Sequence, residues 1–405
     1  MKKITQNFVD FTSKKTRIAT SFLVLFLFLF ASNASAQNVT VNPGGGSYAD
    51  LTSAFAAINA GTHTGEVTIS IVGNTTELAS AVLNASGTGS ANYTSVAIFP
   101  SGDRTITGAI TGHLIDLNGA DNVIINGLNS GGNSLVISNT ATGASSTVRF
   151  INDASSNTIQ NATLQGSTTS FGVVYFATGT STGNDGNNVN NCTITAAGAN
   201  FPVNGIYSLG TSAVIDNSGN TINANSISDF FSAGSATVGI NINSFNSTWT
   251  ITNNKLFQTA SRTYTTANTH TVIGVGSGDG YTITGNTIGY ASAAGIGVYT
   301  MTGTIATRLI GINLAVGTAT ASSVQGNTIT AISLNTSSGA ATTNGILCGI
   351  NITAGNVNVG NVTANTIGAS SGVDALKATP TTALGTVVGI NCSSTGTIVI
   401  QNNVI

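Results

Sequence analysis

Ile251-Thr-Asn-Asn254-Lys-Leu256 and Ile283-Thr-Gly-Asn286-Thr-Ile288 are two copies of a six-residue pattern that recurs along this chain and predicts its fold. An aliphatic residue stands first and last in each copy, and an asparagine stands fourth. Repetition at intervals of 29 residues (222 to 251) to 41 residues (283 to 324) is typical of a solenoid, in which each repeat forms one structural unit. The copies begin at positions 123, 159, 189, 222, 251, 283, 324, 362 and 400, and the second and third carry Ala162 and Cys192 in place of asparagine.

The spacing inside the pattern predicts a bend in each copy. Successive side chains of a strand point to opposite faces, so the first and sixth positions of a straight strand would face opposite sides. Both positions are apolar, and the chain must therefore turn between them to bury both. Asparagine adopts the left-handed backbone conformation at low cost, so we expect the fourth-position asparagine to occupy this bend. Asparagines stacked once per coil can also hydrogen-bond to one another.

A second element recurs in a fixed order with the first. The triplet Gly-Ile-Asn lies 11 to 13 residues before a copy of the six-residue pattern (389 to 400 and 311 to 324 are the limits). Each repeat therefore contains at least two strands in a constant order. The triplets start at Gly239, Gly311, Gly349 and Gly389, with a looser version at Gly205, and the column two residues before the pattern holds Asn157, Asn187, Asn220, Trp249 and Tyr281.

These repeats resemble those of the pectin-lyase-like parallel β-helix superfamily. The similarity is clearest in Val123-Ile-Ile-Asn126-Gly-Leu128 and Ile283-Thr-Gly-Asn286-Thr-Ile288, and it extends over about residues 47 to 405. The resemblance implies an all-β, right-handed parallel β-helix with a short N-terminal capping helix. It implies little about activity, because that fold carries lyases, hydrolases, adhesins and inert shafts.

The composition suits strands and polar turns. Hydrophobic residues make up 41% of the 405, enough for a large core, whereas charged residues make up only 6% and glycines number 49. Beyond residue 36 the chain carries six basic and twelve acidic residues, a net charge of −6. A nucleic-acid partner is therefore not expected, because nucleic-acid binding needs a basic patch.

The N-terminal region divides into two predicted segments. Residues 1–36 have the features of a signal peptide, with basic residues before an apolar run at 22–30 and the small residues Ala34-Ser35-Ala36 before the cleavage site. The run is too short to span a membrane comfortably, so we expect a secreted or cell-surface protein that does not span the membrane after cleavage. Residues 37–75 should form a cap. Ser47 or Asp50 would begin its helix, Tyr48, Leu51, Phe55 and Ile58 would be buried, Gly61 would follow its end, and Val67, Ile69 and Ile71 would form a first strand.

Residues 76–405 should form the β-helix itself. The sequence stops at Ile405, in the sixth position of the ninth copy, and we expect a fragment of a longer protein with further domains. The alternative is a natural end whose last coil pairs with another chain. The predicted signal peptide, the turn composition and the low charge resemble large surface proteins of Bacteroidetes-type bacteria.

The cysteines and histidines show no pattern of a disulfide framework or metal site. Cys192, Cys348 and Cys392 occur singly, and the stacked triplets would place the last two about 13 Å apart on adjacent strands, too far for a disulfide. We expect buried free thiols. The three histidines follow no ligand spacing and are expected to be solvated loop residues. They are His63, His113 and His270.

Carboxylates supply the candidate catalytic residues. An enzyme on this fold would act on polysaccharide, either through paired carboxylates or through Ca²⁺ and a basic proton acceptor. The alternative is structural, because aspartate in a glycine-rich bend bonds to nearby backbone and an arginine can form a surface ion pair. The candidates are Asp121, Arg149, Asp153 and Asp185, with Asp216 and Asp279 at similar positions, and no cofactor other than Ca²⁺ is suggested.

The predicted outer face of the strands suggests ligand binding without catalysis. Hydroxyls and amides repeated about every 4.8 Å can bond to a periodic ligand such as a glycan chain. The main hypothesis is therefore a nonenzymatic, adhesin-like module that binds polysaccharide or cell-surface glycan. The alternatives are a polysaccharide lyase or glycoside hydrolase, and a rigid spacer. The two columns are Thr158, Thr221, Thr250 and Thr282, and Gln160, Asn223, Thr252 and Thr284.

Overall fold

The computed structural model describes residues 36–337, 344–369, 375–382 and 385–405. Apart from Ala36, the predicted signal peptide lies outside these residues. The described chain is a right-handed parallel β-helix with a single short helix, which confirms the predicted fold class. No helix in the described ranges is long and apolar enough to cross a membrane.

The elements are numbered here in chain order. The first are β1 (Gln37–Val41), α1 (Leu51–Asn59), β2 (Thr64–Ile71), β3 (Thr75–Glu77), β4 (Ala81–Asn84), β5 (Asn92–Pro100), β6 (Asp103–Gly108), β7 (His113–Asn118), β8 (Val123–Asn126), β9 (Ser134–Asn139), β10 (Ser146–Ile151), β11 (Thr158–Gln160), β12 (Thr163–Gly166) and β13 (Gly172–Phe176). Next are β14 (Asn188–Asn190), β15 (Thr193–Ala196), β16 (Asn204–Ser208), β17 (Asn217–Ser218), β18 (Thr221–Asn223), β19 (Ser226–Ser228), β20 (Thr237–Ile242), β21 (Asn246–Ser247), β22 (Thr250–Thr252), β23 (Lys255–Phe257), β24 (Arg262–Thr263) and β25 (Thr269–Val275). The last are β26 (Thr282–Thr284), β27 (Thr287–Gly289), β28 (Tyr299–Thr302), β29 (Arg308–Ala315), β30 (Ser322–Gln325), β31 (Thr328–Thr330), β32 (Ile332–Thr336), β33 (Leu347–Ala354), β34 (Val357–Val359), β35 (Thr366–Ile367), β36 (Leu376–Pro380), β37 (Val387–Cys392) and β38 (Ile398–Ile400).

Each coil passes through three parallel sheets in the same order. Sheet 1 runs β1-β2-β5-β8-β11-β14-β18-β22-β26-β30-β34-β38. Sheet 2 runs β3-β6-β9-β12-β15-β19-β23-β27-β31-β35. Sheet 3 runs β4-β7-β10-β13-β16-β20-β25-β29-β33-β37. In most copies the six-residue pattern joins a sheet 1 strand to a sheet 2 strand, and the Gly-Ile-Asn triplet lies in sheet 3.

Aliphatic columns from the three sheets fill the interior. Equivalent residues of successive coils are strand partners, so each inward side chain packs on its counterpart in the next coil. Nearly all of these side chains are fully buried. Representative columns are Val189, Ile222, Ile251, Ile283 and Val324 in sheet 1, and Ile206, Ile240, Ile273, Ile312 and Ile350 in sheet 3.

The first copy of the six-residue pattern does not stack as predicted. We expected Val123 to align with Ile159, but the partner of Ile159 is Ile125. The copy is therefore displaced by two residues, and Asn126 faces outward beside Gln160. A shift of two preserves the alternation between inner and outer faces, so the apolar pattern alone could not detect it.

The eighth copy differs from the prediction at its first position. The strand partner of Val324 and of Ile400 is Val359, and Val362 is 80% exposed in a longer bend between β34 and β35. Asn365 and Ile367 of this copy still align with Asn327 and Ile329.

The fourth-position asparagines form a buried ladder. The Asn254 amide donates to Asn286 Oδ1 at 2.9 Å and to the Ile222 carbonyl at 2.9 Å, while the Asn254 backbone N–H also donates to Asn286 Oδ1 at 3.0 Å. This confirms the predicted stacking. The ladder contains Asn225, Asn254, Asn286, Asn327, Asn365 and Asn403.

The backbone conformation of this bend differs from the prediction. The left-handed residue is the third of the pattern, not the asparagine in fourth place. Its φ is 56° at Ala224 and Asn253, and 68° at Gly285. The third residue turns the chain, which leaves the asparagine side chain free to point inward and reach the next coil.

A second asparagine ladder precedes sheet 1. Asn157 Nδ2 donates to Asn187 Oδ1 at 2.9 Å, and Asn187 Nδ2 donates to Asn220 Oδ1 at 3.2 Å. Trp249 and Tyr281 occupy the next coils of this column, where both are buried. The predicted column of like residues is confirmed.

The N-terminal cap agrees with the sequence in most respects. Asp50 accepts the Ser53 backbone N–H at 2.7 Å at the start of α1. Three of the four predicted apolar residues are fully buried, whereas Tyr48 is half-buried. The sequence did not reveal β1, which precedes the predicted first strand, or buried Glu77, whose carboxylate accepts the Leu51 backbone N–H at 3.1 Å.

The cysteines are free, and two of them are buried. Strand register pairs Cys348 with Val388 and Ile352 with Cys392, so the thiols are four residues out of register, as predicted. Burial raises the pKa of Cys192 to about 12, which keeps this thiol protonated. Cys392 is exposed, contrary to prediction, because it lies on β37 at the edge of sheet 3.

An additional sheet widens the later coils. Sheet 4 consists of β24, β28, β32 and β36, which lie between sheets 2 and 3 in chain order. Beside it lies a buried polar network, in which His270 contacts Thr237, Tyr264 and Tyr299. The six-residue pattern contains no signal of this sheet.

Candidate functional site

The outer face of sheet 3 carries a column of polar and aromatic residues on four successive coils. Strand register aligns Asp116 with Arg149, Arg149 with Tyr175, and Tyr175 with Tyr207. Their sequence neighbours point into the core, so strand alternation directs these four side chains outward. Because neighbouring strands lie about 4.8 Å apart, the column extends about 14 Å along the helix axis.

Four rings gather around this column. The Phe171 ring stacks on Tyr175 with centroids 4.3 Å apart and an interplanar angle of 8°. The Tyr207 and His113 rings lie 5.6 Å and 5.9 Å from Tyr175. Tyr175 is only 7% exposed, whereas Phe171, Tyr207 and His113 are half-buried and form the accessible surface. We call the group the sheet 3 cluster; it consists of His113, Asp116, Arg149, Phe171, Tyr175 and Tyr207.

Arg149 and Asp116 form a bidentate ion pair at one end of the cluster. Nη2 lies 2.6 Å from Oδ2, and Nε donates to Oδ1 at 2.9 Å. The side chains are 21% and 9% exposed, so the pair is largely shielded from water. Paired geometry of this kind holds a guanidinium in place. Within the described residues, Arg149 Nη1 makes no hydrogen bond and stays available to a ligand.

His113 is held as a neutral ring. Its Nδ1 lies 2.7 Å from the Ser146 hydroxyl. Burial, and then the nearby Arg149 charge, lower the pKa of His113 to about 4. Burial raises the pKa of the Tyr175 phenol, which therefore remains protonated. At neutral pH the cluster thus places an uncharged imidazole beside a phenol.

A shallow groove continues the same face beyond Tyr207. Asn241, Gly274 and Asn313 follow Tyr207 in the column. Gly274 has no side chain, and the depression around it has a volume of about 170 Å³. The Asn243 amide donates to the Tyr207 hydroxyl at 3.4 Å, so the groove begins beside the cluster.

The three predicted catalytic aspartates lie in bends between sheets 3 and 1. Each accepts hydrogen bonds from the backbone of the following coil, so these carboxylates link coils instead of closing local turns. The shortest of these bonds come from Ser155 N to Asp121 at 2.7 Å, from Thr180 N to Asp153 at 2.8 Å, and from Ser218 N to Asp185 at 2.7 Å.

The electrostatic setting differs among these aspartates. Burial, and then neighbouring carboxylates that include Asp153, raise the pKa values of Asp121 and Asp185. Burial acts to raise the pKa of Asp153 as well, but hydrogen bonds from Thr180, Ser181 and Gly183 outweigh it and lower that pKa.

In the described part of the chain, Arg149 forms neither an ion pair nor a hydrogen bond with these aspartates. Across the described ranges its ion-pair partner is Asp116, and no hydrogen bond joins it to any of the three predicted aspartates. The ion-pair role considered from sequence is therefore present in the structure. In the same ranges, no three His, Cys, Asp or Glu residues are grouped closely enough to hold a metal ion.

Sequence reasoning missed most of the cluster. His113 and His270 were expected in solvated loops, but both lie on strands, and His270 is fully buried. A signal for the cluster was nevertheless present. The third residue of the Gly-Ile-Asn triplet faces outward in sheet 3, and the looser triplet at Gly205 carries Tyr207 in that place. The departure from asparagine marks the site.

Comparisons with known proteins find only remote likeness. No family model and no curated protein matches this chain. The crystal structure of an alginate lyase from Paenibacillus sp. str. FPU-7 is 14% identical, with a TM-score of 0.38 over 88% of this chain and 99% of that one. The crystal structure of the Agl-KA catalytic domain is also 14% identical, with a TM-score of 0.32 over 91% of this chain and 69% of that one. Similarity this low leaves the function to be argued from the site.

Proposed function

We propose that this protein binds a polysaccharide on the outer face of sheet 3, with the sheet 3 cluster as its central subsite. The observation that carries the proposal is the gathering of half-exposed Phe171, Tyr207 and His113 around Tyr175, beside a fixed ion pair. Aromatic faces pack against the apolar faces of sugar rings, while charged and amide groups bond to hydroxyls and carboxylates. The predicted signal peptide supports action outside the cell.

The groove beyond Tyr207 supports an extended ligand. Cluster and groove share one column of sheet 3, so a glycan chain lying parallel to the helix axis would contact both. Asn241 and Asn313 offer amide donors and acceptors along this path. The column continues at Asn351, the strand partner of Asn313, whose Nδ2 donates to Asn313 Oδ1 at 2.6 Å and so fixes the Asn313 side chain.

The outer face of sheet 1 is the weaker candidate. Its two polar columns align as predicted, with Thr221, Thr250 and Thr282 in register. These columns carry hydroxyls and amides but none of the rings that gather on sheet 3. Threonine also favours exposed strands for structural reasons alone.

Replacing Tyr207 with alanine is expected to weaken polysaccharide binding about tenfold, because an accessible stacking face is lost. The ligand would first be identified on a glycan array with the mature protein, and its affinity would then be measured by calorimetry. Phe245→Ala, which removes a 41% exposed ring outside the cluster, is the matched control and should bind like the wild type. Retention of no polysaccharide, or equal affinity of the Tyr207 variant, would reject the proposal.

Eliminative cleavage of a uronate polymer is the second candidate function. The observation that favours it is neutral His113 beside protonated Tyr175 and Arg149. In β-elimination a base removes the C5 proton, the C4–O4 bond breaks, a C4–C5 double bond forms and an acid protonates O4. His113 Nε2, which has no hydrogen bond within the described residues, would act as the base and the Tyr175 hydroxyl as the acid. Arg149 Nη1, which the ion pair with Asp116 leaves available, would donate a hydrogen bond to the uronate carboxylate.

A His113→Gln variant is expected to lose at least about 100-fold of any lyase activity, because the base is removed. The assay is the ultraviolet absorbance of the unsaturated product formed from alginate or polygalacturonate. His63→Gln, a histidine variant in the cap, is the control and should keep full activity. If the wild-type protein binds these polymers but forms no unsaturated product, elimination is excluded and binding alone remains.

A further inference from the structure

A second pocket lies on the outer face of sheet 2, away from the strands of the sheet 3 cluster. It has a volume of about 260 Å³, enough to hold one sugar ring. Its floor is formed by strands β23, β27 and β31, and its wall by the loop that follows Gly289. The lining that matters for binding consists of Lys255, Phe257, Thr287, Tyr290, Ser292 and Thr328.

The pocket is open because one outward position of sheet 2 has no side chain. This position is Gly289 on β27, which lies between Phe257 on β23 and Thr330 on β31. Gly289 has a φ of 130°, and a Cβ there would overlap the Thr330 carbonyl oxygen. Only glycine fits this position, so the surface is depressed between the Phe257 ring and the next coil.

The wall of the pocket is a tight loop that is hydrogen-bonded both within itself and to the next coil. The Tyr290 backbone N–H donates to the Ala331 carbonyl, and the Ser292 hydroxyl donates to the Ile296 carbonyl at 3.2 Å. The Tyr290 ring lies against Gly295 and faces the pocket. Its hydroxyl has no hydrogen-bond partner in the described part of the chain, which leaves it available to a ligand.

Lys255 gives the pocket its charge. It is exposed, and the described residues provide neither an ion pair nor a side-chain hydrogen bond for its ammonium group. Cations are scarce in this chain, and Arg149 and Arg262 are already paired with aspartates. An unpaired ammonium beside two aromatic rings is suited to a ligand that combines a carboxylate with an apolar ring face.

We infer that this pocket binds a single uronic-acid unit. The ligand carboxylate pairs with Lys255, the sugar face packs on Phe257 or Tyr290, and the ring hydroxyls bond to Thr287 and Thr328. The inference is independent of the sheet 3 cluster, because the two sites share no residue. A protein with both sites would hold an acidic glycan at two places on its surface.

The test is titration of the mature protein with galacturonic acid, galactose and acetate, followed by amide NMR. We expect galacturonic acid to shift the Gly289 and Gly295 amide signals. Galactose and acetate should bind more weakly, because each lacks part of the recognised group. Lys255→Gln should weaken galacturonic acid binding about tenfold, since a hydrogen bond to a charged group is lost.

Two control variants make the result specific. Lys377→Gln removes the other lysine beyond residue 36 and should leave the titration unchanged. Phe245→Ala alters an exposed ring outside both sites and should also leave it unchanged. The sheet 3 cluster is followed separately through the amide signals of Arg149 and Tyr207, so failure of one site does not imply failure of the other. The inference is wrong if galacturonic acid does not shift the Gly289 and Gly295 signals, if acetate shifts them equally well, or if Lys255→Gln leaves their titration unchanged.

Discussion

Replacing Asn286 with alanine is expected to lower the free energy of unfolding by about 4 kcal/mol. The side chain is fully buried, and its amide donates to the Ile251 carbonyl at 2.8 Å and to Asn327 Oδ1 at 2.9 Å. Its oxygen accepts from the backbone N–H and the side-chain amide of Asn254. Alanine would leave buried polar groups on both neighbouring coils without partners, and each costs about 1–3 kcal/mol.

The measurement is urea unfolding followed by circular dichroism. Asn223→Ala is the matched control, because Asn223 lies on the outer face of sheet 1 two coils earlier and its oxygen accepts from Thr252 and Asn253. Water can replace those bonds, so a loss below about 1 kcal/mol is expected there. Equal losses for the two variants would show that the interior ladder is not a main source of stability.

Acidification from pH 7 to pH 4.5 is expected to lower the free energy of unfolding by about 2.5 kcal/mol through protonation of His270 in the unfolded chain. The ring is fully buried and stacks on Phe230 with centroids 5.4 Å apart. Nδ1 lies 2.5 Å from the Thr237 hydroxyl, and Nε2 lies 2.5 Å from the Tyr299 hydroxyl. Burial lowers the pKa of His270 from 6.5 to about 3, because removal from water disfavours the charged ring.

The direction of this effect follows from proton uptake. Below pH 6.5 the unfolded chain protonates His270, whereas the folded chain does so only near pH 3. The contribution of neutral His270 to the free energy of unfolding is therefore fully present above pH 6.5, and it is lost progressively as the pH decreases toward 3. His270→Gln should show a smaller change between pH 7 and 4.5 in urea unfolding. Ile350→Val, which weakens the core without touching His270, should keep the wild-type change; an identical pH response of His270→Gln would contradict the prediction.

The functional site was only partly predictable from sequence. Arg149 was identified as a candidate, and the looser triplet ending at Tyr207 stood out as irregular. Phe171 and His113 could not be assigned, because they lie outside the repeated positions. The cluster combines residues from coils of unequal length, so its assembly depends on the path of each loop and on strand register.

The coil architecture, the inward aliphatic columns, both asparagine ladders and the capping helix could all be predicted from the sequence. In a solenoid each residue contacts its equivalents in neighbouring coils, so a periodic pattern in the sequence predicts the tertiary contacts. Four features became visible only in the folded structure: the displacement of Val123, the left-handed third residue in most of the bends, sheet 4, and the pairing of Arg149 with Asp116. These features depend on loop paths and on shifts of two residues, which leave the periodic pattern unchanged.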